Sequence, residues 1–461
     1  MPQLPAVRPP RLGPTARVGA SRRPGPFARL RDRVESGEIL RLRPRFRRRG
    51  LLAFLAVMGP GLIAGIAGND AGGITTYSVF GAETGIRLLW VFPITIVILA
   101  VVQEMAARLG VVSGQGLSDL IRDWYGVRWT AFAMVVLLVA NLANTVAEFA
   151  GASAALEIFG VPRFITVPVV AFGIWALVLF ASYRTVERVF LSIMVVFVAY
   201  IASAILARPD WGAVGRALVT PSLDLSGGTL LLLVAFVGTT ITPYMQFYLQ
   251  SAVAEKGIDE EELHLEQADA IGGSIISNVV ALFIVVAAAQ TLFTAGIHVE
   301  TAEDAARALG PVAGGLSTAL FAIGLFGASV LAATIMPIST AFVVCEAFGW
   351  ESGVGRRFRD APAFFILYTF VLFAGALVVM IPGLDPIGLI VSSQYLQGLL
   401  LPVVLVFMFL LVNNRRLLGR HANGPVRNAL TVVAIGLVVV LDAVLLGVTA
   451  LEAFFGIRVA G

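Results

Sequence analysis

Cysteine is almost absent from the 461-residue chain: Cys345 stands alone, so no intrachain disulfide can form. Histidine is scarce as well. His264, His298 and His421 each fall in a polar stretch between apolar runs, which excludes a buried His/Cys metal cluster. Charged residues make up only 13% of the chain and hydrophobic ones 58%, where soluble domains run nearer ~25% and ~45–50%. With a mean hydropathy of +0.89, the chain reads as an integral membrane protein with no room for a separate soluble catalytic domain. Lysine is represented by Lys256 alone, so the net charge of +4 is carried by arginine. Most of that arginine flanks apolar runs, which is a topology signal and not a nucleic-acid footprint.

Residues 1–50 are rich in Pro and Arg, with fourteen Arg against Asp32, Glu35 and Glu38. No run there is long enough to span a bilayer or serve as a signal core, so a disordered cytoplasmic tail is expected; an acid-poor, Arg-rich start also fits an organelle transit peptide. From Leu51 eleven spans are predicted, at about 51–76, 86–107, 129–156, 163–181, 189–207, 228–252, 271–294, 313–346, 361–382, 386–412 and 428–451. The fold class is an all-α membrane protein. With the tail inside, 27 of the 33 basic residues fall on the cytoplasmic side, which fits the positive-inside rule.

Two spans carry interruptions. Gly59-Pro60-Gly61 opens the first, and Gly68-Asn69-Asp70-Ala71-Gly72-Gly73 breaks it near mid-membrane; Gly238-Thr239-Thr240-Ile241-Thr242-Pro243 does the same in the sixth. Gly and Pro weaken a helix, and the carbonyls they free must face protein or a watery cavity. Breaks in the first and sixth spans imply two five-helix repeats, 51–210 and 211–412, with an eleventh helix in 413–461. Paired interruptions in two inverted halves point to a transporter's binding site; packing notches for close helix approach are the plainer reading of either break alone.

Asp70 is the central candidate, because a carboxylate at mid-bilayer costs about 2.5–3.5 kcal/mol on insertion scales and needs a cation, a partner or a water path. With unwound carbonyls, the Thr242 hydroxyl and the Gln394 amide it would form an all-oxygen site suited to hard divalent cations. It can equally cap the second half-helix, and the two roles are compatible. Glu148 lies in the third span with Asn144 one turn earlier on the same face; it reads as a proton acceptor, a supporting charge, or simply a protonated interior carboxyl. Asp442, in the last span, has no evident partner. The acidic stretch 254–269 reads as a solvated helix face, and Gln397 as an ordinary interhelical partner ranked below Gln394.

At these residues the sequence resembles the Nramp family of divalent metal transporters, whose fold is the LeuT-type inverted repeat. The similarity runs from Gly59 to about Gly419. It rests on GPGLIAGIAGNDAGG and YSVFGAETGIRLLW, QEMAARLGVVSGQGL, the ANTVAE segment, YRTVE, PDWGAV, VGTTITP, SSQYLQGLLLP and NNRRLLG. The family's Asp-Pro-Gly-Asn falls on Asp70, Ala71, Gly72 and Gly73, keeping the metal-binding Asp and losing the Asn. Its Ala-x-x-Met-Pro falls on Thr239 through Pro243, so Thr242 replaces the thioether while the Thr239 carbonyl can still serve. Two histidines expected after that proline are missing from the segment that starts at Tyr244. The third-span Asp falls on Thr145, the Glu on Glu148, and the tenth-span Gln on Gln394.

The resemblance therefore implies a metal site of Asp70, Thr239, Thr242, Gln394 and Gly73, with Glu148, Asn144, Thr145 and Tyr244 around it or on a proton path. Loss of the sulfur favours Mg²⁺ or Mn²⁺ over Fe²⁺ and Cd²⁺, as in the Nramp-related magnesium-transporting branch. Gly73 and Thr242 would leave space for a partly hydrated ion. Proton coupling is doubtful with so few titratable groups. The expected protein is a plasma-membrane importer with the metal as substrate, no cofactor, no nucleic acid and no obligate protein partner. The alternative is a LeuT-type carrier of an amino acid or other organic solute, with Asp70 on an amine or Na⁺. An enzyme is not expected, since no intramembrane His or nucleophile-plus-base pair is present.

Overall fold

The computed structural model describes residues 68–180, 198–222, 226–352 and 358–455. The arginine-rich tail, Gly59-Pro60-Gly61, the YRTVE segment, most of the span at 51–76 and the first half of the span at 189–207 lie outside the described residues.

Among the described residues the regular structure is helical. The principal helices are α1 (Ala71–Thr84), α2 (Val91–Ser113), α3 (Leu117–Tyr125), α4 (Val127–Glu157), α5 (Arg163–Phe180), α6 (Trp211–Val219), α7 (Gly227–Thr240), α8 (Pro243–Lys256), α9 (Leu263–Thr291), α10 (Ser317–Phe348), α11 (Pro362–Val379), α12 (Pro386–Val412) and α13 (Pro425–Phe455). Eight segments, with α7 and α8 taken together, are long and apolar enough to cross a membrane, and α5 supplies a shorter apolar stretch.

Local chemistry sets the boundaries. α12 starts where the sequence predicts, because Asp385 accepts from the N–H groups of Ile387 and Gly388 and Pro386 occupies the first helical position, where no N–H is needed. The second span begins at Val91 and not near 86. Gly85 closes α1 at φ +58°, and residues 85–90 run in successive i→i+3 turns, such as the Leu89 N–H to Ile86 carbonyl bond at 3.3 Å.

Helix resumes earlier after Asp70, and persists longer before Pro243, than the glycine pattern suggests. Ala71, Gly72 and Gly73 are already helical. α7 continues through Gly238 to Thr240, leaving only Ile241 and Thr242 unwound. Pro243 explains the second break: it has no N–H for the carbonyl of Thr239 and fits best as the first residue of a new helix. Gly238 serves packing instead. A Cβ there would run into the Gln394 carbonyl and the Gly398 backbone, so the paired glycines let α7 and α12 cross with their backbones in contact.

Packing divides the helices into two groups. α9 packs on α1 and α2, α8 on α2, and α7 on α1; α4 packs on α5, α10 and α11; α12 touches both α4 and α7. The acidic stretch after α8 departs from a uniformly solvated face. Glu260, Glu261 and Glu262 are exposed, but Glu266 and Asp269 turn inward on the first turns of α9, and Glu266 sits 3.6 Å from Lys256. Asp442 is buried in α13.

Candidate functional site

The centre of the site is the start of α1. Asp70 has extended backbone and caps the helix, its Oδ1 accepting from the Gly73 N–H at 2.9 Å. The cap and a ligand role are compatible, since a carboxylate offers about four lone-pair directions. The helix N-terminus contributes positive potential that stabilises the ionised form. Asp70 keeps 8% of its surface accessible, while Asn144, Glu148 and Gln394 keep none.

A directed chain of amides meets the other carboxylate oxygen. Asn144 Nδ2, from α4, donates to Asp70 Oδ2 at 3.2 Å, and Gln394 Nε2, from α12, donates to Asn144 Oδ1 at 2.7 Å. With its NH₂ committed, Gln394 is left with Oε1 as a buried acceptor that has no partner. The Gln394 amide also lies against the Cα of Gly72, where any side chain would collide with it.

Glu148, one turn past Asn144, is turned toward Asp70 and toward the backbone N–H groups of Ala71 and Gly72. Neither of its buried oxygens makes a well-formed hydrogen bond. Two facing carboxyl groups in a water-poor site repel unless a shared proton or a cation offsets them. No cation of the protein interacts with Asp70 among the described residues.

The break between α7 and α8 brings the neutral oxygens. Thr242 precedes Pro243 at the N-cap position, yet its hydroxyl caps nothing, and the buried hydroxyls of Thr239 and Thr242 have no hydrogen-bond partner. The Thr239 carbonyl lost its helical donor to Pro243. This segment is tied to the rest through Gly238, which packs on the Gln394 carbonyl, and through Tyr77 of α1, whose hydroxyl is 3.0 Å from Thr240 Oγ1. Tyr244 stands within electrostatic reach of both Asp70 and Glu148.

Two expectations need correction. Gly73 does not open space for a hydrated ion, because the Gly68 carbonyl already fills the volume where its side chain would be. It contributes its N–H to the cap instead. Thr145 is rotated away from Asp70: its hydroxyl donates to the Asn141 carbonyl at 2.8 Å, and its methyl packs on Gly375 of α11.

Sequence reasoning also missed neighbours. Met336 of α10 places its sulfur 2.7 Å from Asn144 Nδ2, so a thioether shares that amide with Asp70, though it is not on the α7–α8 break. Asn69, beside Asp70, donates to Ser277 of α9 at 3.0 Å. The tripeptide Ile335-Met336-Pro337 in α10 was the signal available for the first; nothing in the sequence marks the second. Among the described residues no group of three His, Cys, Asp or Glu is close enough to hold a metal. Any cation here would depend on two carboxylates and neutral oxygens.

A helical membrane protein in which a capped helix start carrying a buried carboxylate faces the break of a second helix is of the LeuT type. More specifically, the chain belongs to the Nramp family: the family described as natural resistance-associated macrophage protein-like matches residues 61–447. It is 29% identical over 386 residues to the divalent metal cation transporter MntH of Deinococcus radiodurans, covering 80% of this chain and 85% of that protein. It is 28% identical over 408 residues to MntH of Yersinia pestis, covering 85% and 95% respectively. In fold it resembles the manganese transporter of Eremococcus coleocola, with a TM-score of 0.68 at 22% identity over 89% of each chain. It also resembles MhsT, crystallised with L-phenylalanine, with a TM-score of 0.57 at 15% identity over 86% of this chain and 98% of that one.

Proposed function

We propose that the protein imports a divalent metal ion, Mn²⁺ or Mg²⁺, by alternating access around Asp70. One observation carries the reading: Thr239, Thr242 and Gln394 all present buried oxygens without hydrogen-bond partners on the elements that surround the Asp70 cap. Buried polar atoms are normally satisfied, and a hard cation satisfies oxygen acceptors that have no donor. Its double charge would also offset the repulsion between Asp70 and Glu148.

In this reading Asp70 supplies the charge. The Thr239 carbonyl, the Thr242 hydroxyl and Gln394 Oε1 supply neutral oxygens, while Asn144 orients the carboxylate and Glu148 and Tyr244 tune the field. Oxygen ligands favour Mg²⁺ and Mn²⁺ over softer ions. The Met336 sulfur accepts from Asn144 Nδ2 and is not one of these ligands. The named activities of the relatives in Deinococcus, Yersinia and Eremococcus support a metal as cargo over an organic solute. The inside-negative potential, about 2.3 kcal/mol per elementary charge per 100 mV, supplies the drive without an obligatory proton. The two repeats, 51–210 and 211–412, rock against each other, and 413–461 is an appended helix. The protein sits in the plasma membrane with its N terminus in the cytoplasm. It is not an enzyme and needs neither a cofactor nor an obligate protein partner.

The test is uptake by proteoliposomes offered Mg²⁺, Mn²⁺, Fe²⁺ and Cd²⁺, with a pH dye inside. Saturable Mg²⁺ or Mn²⁺ entry without matching acidification supports the reading. Preferential Cd²⁺ entry would refute the selectivity, and acidification in step with metal would refute the drive.

A further inference from the structure

Away from Asp70, a cavity of about 370 Å³ lies between α2, α9 and α13. Its lining is graded along all three helices. On α2 the lining residues Val97, Ala100 and Val101 lead to Glu104 and Arg108; on α9 Gln267 leads to Ile271 and Ile275; on α13 Arg427 leads to Leu430. The spacings of three, four and seven put each set on one helix face. α9 and α13 run from polar to apolar and α2 runs the other way, so the polar ends coincide. From Val97 to Arg108 the rise is about 16 Å, close to half of the ~30 Å hydrocarbon core. Val97, Ile271, Ile275 and Leu430 are exposed, so the apolar end opens sideways.

The polar end carries uncompensated positive charge. Glu104 Oε2 accepts from Arg108 at 3.0 Å, and Oε1 accepts from Gln267 at 2.6 Å. Arg108 is 1% exposed, and its two terminal nitrogens are further held at 2.7 Å by the His421 carbonyl and by Asn423 Oδ1. Its buried Nε has no partner. Glu104 is shared between Arg108 at 3.0 Å and the half-exposed Arg427 at 3.8 Å, so two guanidinium groups face one carboxylate and the mouth keeps a net positive charge, with Arg427 its accessible end. The arginine asymmetry of the sequence assigns this end to the cytoplasmic leaflet.

We propose that this groove binds an anionic phospholipid of the bilayer, its phosphate on Arg427 beside Arg108 and an acyl chain along Val97, Ile271, Ile275 and Leu430. An apolar trough with a net positive charge at interfacial depth complements an acyl chain joined to an anionic headgroup. The metal site shares no residue with it, so the inference stands apart from the proposed transport.

Native mass spectrometry of the full chain in detergent, titrated with phosphatidylglycerol or phosphatidylcholine, provides the test. Phosphatidylglycerol should be retained roughly fivefold better, as one basic residue near the surface implies. Arg427→Gln should bring the two lipids to parity, and Arg427→Lys should preserve the preference. Ala100→Trp, which fills the groove wall, should reduce retention of both, and inorganic phosphate in excess should displace neither. Equal retention by the unaltered protein, an undiminished preference in Arg427→Gln, or displacement by phosphate alone would overturn the proposal.

Discussion

The side-chain amide of Asn144 donates to Asp70 across the α4–α1 interface at 3.2 Å, and it is in turn held by Gln394 at 2.7 Å. The carboxylate at the start of α1 is therefore aimed by two neutral amides from two other helices. A hydrogen bond to a charged group contributes about 1.5–3 kcal/mol. Asn144→Leu should weaken Mn²⁺ binding at least roughly tenfold in a calorimetric titration, with the Asp70 cap intact. An unchanged Kd would mean that Asp70 is oriented by its cap alone.

At Gly73 the Gly68 carbonyl occupies the position of a Cβ. Gly73→Asn, which restores the family residue, should destabilise the protein by about 1–3 kcal/mol as an overpacking change. Gly73→Ala should cost a similar amount, because the obstruction begins at the first side-chain atom. Thermal unfolding in detergent checks this; an unaltered Tm for both variants would show that the Gly68 turn moves aside freely.

Thr242 has a buried hydroxyl with no partner at the α7–α8 break. Thr242→Met places a thioether where the family carries one and should raise Cd²⁺ uptake relative to Mg²⁺ by about tenfold or more. Met336→Leu should leave that ratio unchanged, since its sulfur faces Asn144. Competition assays in proteoliposomes separate the two positions.

His298 lies between α9 and α10, and its Nδ1 is 2.8 Å from Glu83 Oε1. The hydrogen bond and charge of Glu83 push the imidazole above the ordinary histidine value. A raised value in the folded state means that protonation favours folding. The contribution is complete below the ordinary value and is lost as pH rises through the raised one. The Tm should fall modestly as the pH is raised above the ordinary histidine value of about 6.5 in the unaltered protein, and less in His298→Gln. The same slope in both would remove this pair as its source.

The sequence signals that proved legible are those written into a few adjacent residues. Asp385-Pro386 marks a helix start, Pro243 forces a break, and Asp70 among glycines marks the point where a capped helix begins. What stayed hidden depends on helix rotation and on backbone filling. Thr145 and Asn144 are neighbours in sequence, yet the 100° between them sends one to Gly375 and the other to Asp70. The volume freed at Gly73 is taken by a carbonyl five residues earlier, which no side-chain comparison reveals. Met336 meets Asn144 only because α10 packs on α4, a tertiary fact. Glu266 and Asp269 look solvated in a run of acids because their burial is set by the packing of α8 and α9, not by composition.

The account rests on Asp70 holding a doubly charged ion. Isothermal titration of Mn²⁺ and Mg²⁺ into the purified full-length protein, beside Asp70→Ala, tests it most directly. Saturable heat in the unaltered protein that vanishes in the variant, with both unfolding at similar temperatures, is the predicted result. Equal binding by a folded Asp70→Ala protein would contradict it.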